Sequence, residues 1–160
     1  MRIPASAVLI ALLAACSSAQ KTEQPAVAKV DLTQKPAAVN LLTDPGSILS
    51  KRSIFYDFDK YDVKDEYKGL IEAHAKYLRE HPDTKMLIQG NTDERGSREY
   101  NVALGQRRSD GVKGMLKLLG VKEEQVESVS LGEEKPKSEG HDETAWSQNR
   151  RSNMLYTGEY

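Results

Sequence analysis

The sequence predicts one α+β domain of order β-α-β-α-β-β, a two-layer sandwich with two helices packed on one face of a mixed sheet. Three observations predict it. Short β-rich runs alternate with helical patterns from residue 53 onward, and proline or glycine closes each helical pattern. The 160 residues leave room for a single core, which usually takes roughly 100 to 200 residues.

Ser53-Ile54-Phe55-Tyr56-Asp57 is the first candidate strand. A helix follows, with Asp62 as N-cap and Asp65 three residues on. Val63, Tyr67, Leu70, Ile71, His74, Tyr77 and Leu78 recur at helical spacing until Pro82 stops the run. Met86-Leu87-Ile88 forms the second strand. A second helix covers about residues 99–119 and is closed by Gly120; its apolar stripe is Leu104, Val112, Met115, Leu116 and Leu119. Residues 126–131 and 153–157 supply two more strands, with a long loop over 132–147 before the last. No internal repeat is evident.

A different kind of sequence precedes this domain. Arg2 and the apolar run 5–15 (ASAVLIALLAA) are too short for a bilayer of about 30 Å, which needs roughly 20 residues as a helix, so residues 1–15 read as a signal peptide. Residues 16–46 read as a tether, rich in Ala, Ser, Thr, Gln and Lys and broken by Pro25, Pro36 and Pro45. Such a length reaches about 100 Å fully extended and roughly 30 Å as a relaxed coil. The domain proper is 47–160. A composition of 38% hydrophobic and 29% charged residues with net charge −1 fits a soluble domain and supplies no cationic field for nucleic acid. The single cysteine, Cys16, excludes an internal disulfide.

The most informative stretch joins the second strand to the second helix: Gly90-Asn91-Thr92-Asp93-Glu94-Arg95-Gly96-Ser97, then Tyr100-Asn101 and Leu104-Gly105-Gln106-Arg107-Arg108. Asn101 and Arg108 are seven residues apart, about two turns at roughly 3.6 residues each, so they share one helix side with Leu104. A guanidinium on an otherwise apolar stripe is costly to desolvate unless a carboxylate or a ligand meets it. Asp93 is the nearest candidate partner by connectivity, and the two could present one anion-binding and one cation-binding group across a shallow pocket. A purely structural ion pair is the competing reading. Arg107 is rotated about 100° away and reads as solvated.

Nothing in the pattern asks for catalysis. His74, His81 and His141 show neither HExxH nor another familiar metal spacing, and His74 reads as a packed helix residue. Asp93, Glu94 and Glu99 could be imagined as a glycosidase carboxylate pair, but a charge-rich helix N-terminus explains Glu99 more simply. The expectation is a binding protein with no enzymatic activity, no cofactor and no metal.

Leu13-Ala14-Ala15-Cys16 resembles the bacterial lipobox. The resemblance implies that Cys16 becomes the first mature residue, carrying a thioether-linked diacylglycerol and an acylated amine. One acyl chain attaches only marginally, whereas three should anchor durably. Ser17, in place of an aspartate, implies delivery to the outer membrane with the domain facing the periplasm.

Thr92-Asp93-Glu94-Arg95-Gly96, Tyr100-Asn101, Leu104-Gly105, Arg107-Arg108 and Asn149-Arg150-Arg151 together resemble the OmpA-like C-terminal domain family, over about residues 54–156. Gly140-His141-Asp142-Glu143 and the whole run from Gly90 to Arg108 point to its peptidoglycan-associated lipoprotein (Pal) branch. The resemblance implies non-covalent binding of the meso-diaminopimelate of peptidoglycan stem peptides. The free end of that residue is zwitterionic, so Asp93 fits its ammonium and Arg108 its carboxylate. Carried over likewise are Asn101 and the turn Asp57-Phe58-Asp59, where capping of the turn is an equal reading of the two aspartates. Arg150 and Arg151 read as solvated or structural, not as ligands. The branch also implies TolB and other Tol proteins as partners, in a Tol-Pal system that maintains envelope integrity and outer-membrane constriction during cell division.

Overall fold

The computed structural model describes residues 41–160, so the expected signal peptide, Cys16 and the expected tether as far as residue 40 lie outside the described residues. The elements within it are β1 (Ser53–Phe55), α1 (Lys68–Glu80), β2 (Met86–Asn91), α2 (Arg98–Leu118), β3 (Val126–Gly132), α3 (Glu143–Asn149) and β4 (Arg151–Tyr156). Short 3-10 turns at Ile48–Ser50, Asp65–Tyr67 and Glu123–Gln125 lead into β1, α1 and β3. The strand order is β1-β4-β2-β3, with β4 antiparallel to both neighbours and β2 parallel to β3. This is the mixed sheet the sequence predicted, with its last strand inserted at the centre.

The strands show which face the helices cover. Side chains alternate across a strand, and Ile54, Met86, Ile88, Met154 and Tyr156 are buried while their neighbours Leu87, Gln89, Asn153 and Leu155 stay half-buried. From α1, Leu70, Ile71, His74, Ala75 and Leu78 turn inward at helical spacing. From α2 come Val112 and Leu116, and Met115 and Leu119 pack at the edge of the same core. Each such aliphatic side chain contributes about 1.5–3 kcal/mol on full burial.

The buried side of α2 changes character along its length. Asn101, Leu104, Gly105, Arg108 and Ser109 occupy its first half, Val112 and Leu116 its second. The second half makes core; the first half makes a site. Their depth is set by backbone contact, since a Cβ on Gly90 would lie 1.8 Å from the Gly105 carbonyl oxygen, and one on Gly105 would lie 2.3 Å from Ser130 Oγ. Only glycine at both positions lets the helix rest directly on β2.

Five sequence expectations shift. Asp62 does not cap α1, which begins at Lys68 behind the 3-10 turn without a side-chain cap. β1 ends at Phe55, short of the expected Tyr56 and Asp57, and β2 continues to Asn91. The span 132–147 is not all loop: Asp142 accepts a hydrogen bond from Ala145 N (2.9 Å) and starts α3, whose seven residues are too few to display a period. β4 then starts at Arg151, two residues earlier than expected.

His74 is wholly buried, as its place on the helix face suggested. Its Nε2–H donates to the Lys51 carbonyl (2.9 Å), because a carbonyl can only accept, which leaves Nδ1 to accept from the Tyr156 hydroxyl (2.8 Å). Burial pushes its pKa down to about 4 from 6.5. Between those values the unfolded chain binds a proton that the folded chain excludes. Stability therefore falls as pH drops from 6.5 to 4, by about 3 kcal/mol from this residue. Urea unfolding midpoints measured across that range should show the loss, and His74→Gln should flatten the slope while lowering the plateau.

Candidate functional site

Where α2 meets the end of β2, a cavity of about 190 Å³ opens between the β1–α1 turn, the loop over residues 92–97 and the residue before β4. Arg108 forms its inner wall. No part of this side chain is exposed, yet it meets no carboxylate among the described residues: Nε donates to the Lys60 carbonyl (2.8 Å), Nη1 to that of Asn91 (2.8 Å) and Nη2 to that of Asp57 (3.4 Å). The guanidinium also sits 4.9 Å from the centre of the Tyr56 ring. Burial draws its pKa down to about 10, against the opposing pull of Tyr56 and the charge of Asp93, so it remains a cation at neutral pH. A guanidinium carries five N–H groups, so the three carbonyl bonds leave two unspent at the cavity wall.

The competing reading, a structural Asp93–Arg108 ion pair, does not hold. Asp93 turns instead to two other arginines: Oδ2 accepts from Arg95 Nη2 (2.6 Å) and Arg150 Nη1 (3.1 Å), and Oδ1 accepts from Arg95 N (3.1 Å). Burial works against the Asp93 carboxylate, but the bonds from Arg95 and Arg150 outweigh it and hold its pKa below the usual range. Connectivity placed Asp93 near Arg108, but backbone carbonyls reached the guanidinium first. Asp93 still lines the cavity, bringing its charge to the same space.

Arg150 is the residue the sequence undervalued. It is buried, donating from Nε to the Tyr56 carbonyl (3.0 Å) and from Nη2 to Glu143, and it lines the cavity. Burial alone would lower its pKa, yet the bonds to Glu143 and Asp93 raise it. A basic residue just before a strand reads as surface, and only the placement of β4 beside β1 carries it inward. Arg151 is also buried, donating to the Asn149 and Lys135 carbonyls away from the cavity.

Arg95 ties three segments together. Its guanidinium lies 4.1 Å from the Phe58 ring centre and 4.0 Å from that of Trp146, between the β1–α1 turn and α3. Phe58 thereby stands at the rim, as the family resemblance implied. Asp57 does not line the cavity: its exposed carboxylate pairs with Lys64 Nζ (2.7 Å), and only its carbonyl serves the site. Asp59 takes that position, with φ +57 and its carboxylate accepting from the Tyr100 hydroxyl.

Asn101 is buried on the cavity wall; its Nδ2 donates to Glu133, and its Oδ1 has no partner among the described residues. Thr92 Oγ1 is likewise unpartnered. Arg107 is exposed, near the Tyr61 ring. The arrangement suits a small ligand with a carboxylate for Arg108 and donor groups for Asp93 and Asp59. Among the described residues no group of three His, Cys, Asp or Glu side chains is placed to hold a metal ion.

Comparison with known proteins follows the same lines. A model of the OmpA family matches residues 55–150. The chain is 43% identical over 152 residues to the peptidoglycan-associated lipoprotein of Pasteurella multocida, covering 92% of this chain and 91% of that one. It is 45% identical over 149 residues to the protein of the same name from Haemophilus influenzae, covering 92% of each. Among solved structures, the peptidoglycan-associated lipoprotein from Burkholderia pseudomallei superposes with TM-score 0.72 at 56% identity, over 73% of this chain and 99% of that one. The C-terminal domain of Helicobacter pylori MotB shares the fold, with TM-score 0.60 at 20% identity, over 65% of this chain and 81% of that one.

The charge network predicts a stability effect at Asp93. Replacing it with alanine leaves Arg150 buried without one of its two carboxylates, and Asp93→Ala should lower stability by about 3 kcal/mol in thermal or urea unfolding. A change below about 0.5 kcal/mol would contradict a structural share in its role.

Proposed function

This chain belongs to the OmpA family and, within it, to the peptidoglycan-associated lipoproteins, and from that premise we propose that it grips peptidoglycan non-covalently by the diaminopimelate of its stem peptides. The observation that carries this reading is Arg108, a fully buried cation with two N–H groups left at a cavity wall and no carboxylate of its own. The free carboxylate of diaminopimelate meets those two donors side by side. Its ammonium faces Asp93 and Asp59, while the Asn101 amide oxygen takes a further donor from the stem. Arg95 and Arg150 hold Asp93 ionised and in place.

At its other end the chain is a lipoprotein, acylated on Cys16 and anchored in the outer membrane with the domain in the periplasm. The tether lets the domain reach the wall. Together the two ends couple membrane to peptidoglycan within a Tol-Pal system, with TolB and other Tol proteins as partners, keeping the envelope intact and drawing the outer membrane inward at division. The role is one of holding, without catalysis.

Ligand chemistry tests this without disturbing the fold. Sacculi in which the free diaminopimelate carboxylate is amidated should retain the protein at least about tenfold more weakly than unmodified sacculi, because a neutral amide cannot replace a carboxylate between two guanidinium donors. Arg108→Lys should bring both kinds of sacculi to the same low retention, with thermal unfolding recorded alongside. Equal retention of the original chain on both would refute the carboxylate assignment.

A further inference from the structure

A second, larger cavity of about 360 Å³ lies behind the first, and Thr92 lines both. Its walls come from Glu94 in the loop before α2, from Glu133 just after β3, and from the segment leading to α3, with Ser138, Glu139 and His141. The cavity is built into the fold. Asn149, itself buried, accepts from the backbone N–H groups of Lys137 (2.7 Å) and Ser138 (3.0 Å) and donates to the Ser138 carbonyl (2.9 Å), pinning that segment. Thr92 N donates to the Gly132 carbonyl (2.8 Å) and fixes the partition between the two cavities.

The two spaces differ in charge. Three arginines line the first, against Asp59 and Asp93. Among the described residues neither lysine nor arginine lines the second, which holds three glutamates and one histidine. His141 Nδ1 lies 2.7 and 2.8 Å from the two oxygens of Glu94, which also accepts from the Trp146 indole N–H (2.8 Å), so the only basic side chain of this wall is already engaged. Glu133 has a neutral amide, that of Asn101, as its hydrogen-bond partner. A second sign of a ligand is independent of the acidic cluster. Thr92 is 3% exposed, and its hydroxyl has no hydrogen-bond partner among the described residues.

We propose that this second cavity is a cation subsite that receives a primary ammonium group of the same polymer whose carboxylate enters the first. The proposal rests on the peptidoglycan reading for the identity of the polymer, and on Glu133, Glu139 and Thr92 for the subsite. Glu133 and Glu139 supply the charge, and the Thr92 hydroxyl accepts one ammonium hydrogen. The free amine of a stem held in the first cavity is spent on Asp93 and Asp59, so the ammonium that enters the second comes from a neighbouring uncrosslinked stem of the same polymer.

The test separates the two cavities. 1,5-Diaminopentane and glutarate, probes of similar length and opposite charge, are titrated into the full chain while backbone amide NMR shifts are followed over residues 92–96 and 137–141. The diamine should move the amides of 137–141 and retain its Kd in Arg108→Ala, whereas Glu133→Gln/Glu139→Gln should weaken it about tenfold. Glutarate should show the reverse dependence. Glu139 is exposed and Glu133 is partly buried, and glutamine keeps an acceptor for the Asn101 amide, so matching thermal unfolding of the double variant serves as the fold control. The double variant should also lose several-fold in retention on sacculi. A diamine response that is absent, or that survives the double glutamine variant, overturns the subsite; unchanged sacculus retention overturns its use by the polymer. A glutarate response absent from the original chain, with the diamine response intact, would instead count against the first cavity alone.

Discussion

Everything at this end of the molecule is arranged around a guanidinium buried without a carboxylate. Taking such an ion out of water costs several kcal/mol even after relaxation, so the three carbonyls that meet Arg108 are a condition of its being there. They come from the β1–α1 turn and the end of β2, and their donors come from α2. Hydrogen bonds to a charged group contribute about 1.5–3 kcal/mol each, which makes the arginine a tie between three segments. The tie works only at one helix depth, and the Gly90–Gly105 contact sets it.

Around that centre the other charges are balanced in pairs. Asp93 is shared by Arg95 and Arg150, Arg150 is shared by Asp93 and Glu143, and the flat face of Arg95 is closed by Phe58 and Trp146. Of the three arginines that line the cavity, Arg108 is then the one whose bonds all go to backbone carbonyls and none to a carboxylate of the described residues. Stability and recognition are therefore joined: the residues that shape the pocket also close the fold over it. A substitution at Asp93 reports on both, whereas a change in the ligand reports on recognition alone.

The fold was legible because it rests on periods long enough to read. The run from Leu70 to Leu78 and the stripe through Leu104, Val112 and Leu116 carry their burial in their spacing. The seven residues of α3 do not, although Asp142 three residues before Ala145 was a cap signal within reach. At the site, Asp93, Asn101, Arg108 and Phe58 were placed on one cavity by spacing together with family resemblance. The sequence could not say which partners they would take. A carboxylate or a ligand was sought for Arg108 because charge is visible in a sequence, whereas a converging set of backbone carbonyls is not. Arg150 was undervalued for a related reason, since its burial comes from β4 lying between β1 and β2, a fact of topology. Asp57 and Asp59 were separated only by the left-handed turn at Asp59, which points one carboxylate to Lys64 and the other to Tyr100.

The central claim is that the two unspent N–H groups of Arg108 receive the ligand carboxylate. It is tested most directly by the crystal structure of the full chain with a meso-diaminopimelate-containing stem peptide. The account predicts the free diaminopimelate carboxylate within about 3 Å of both Nη1 and Nη2 of Arg108. A peptide bound with that carboxylate in solvent, or held by Arg95 while the Arg108 donors remain unoccupied, would contradict it.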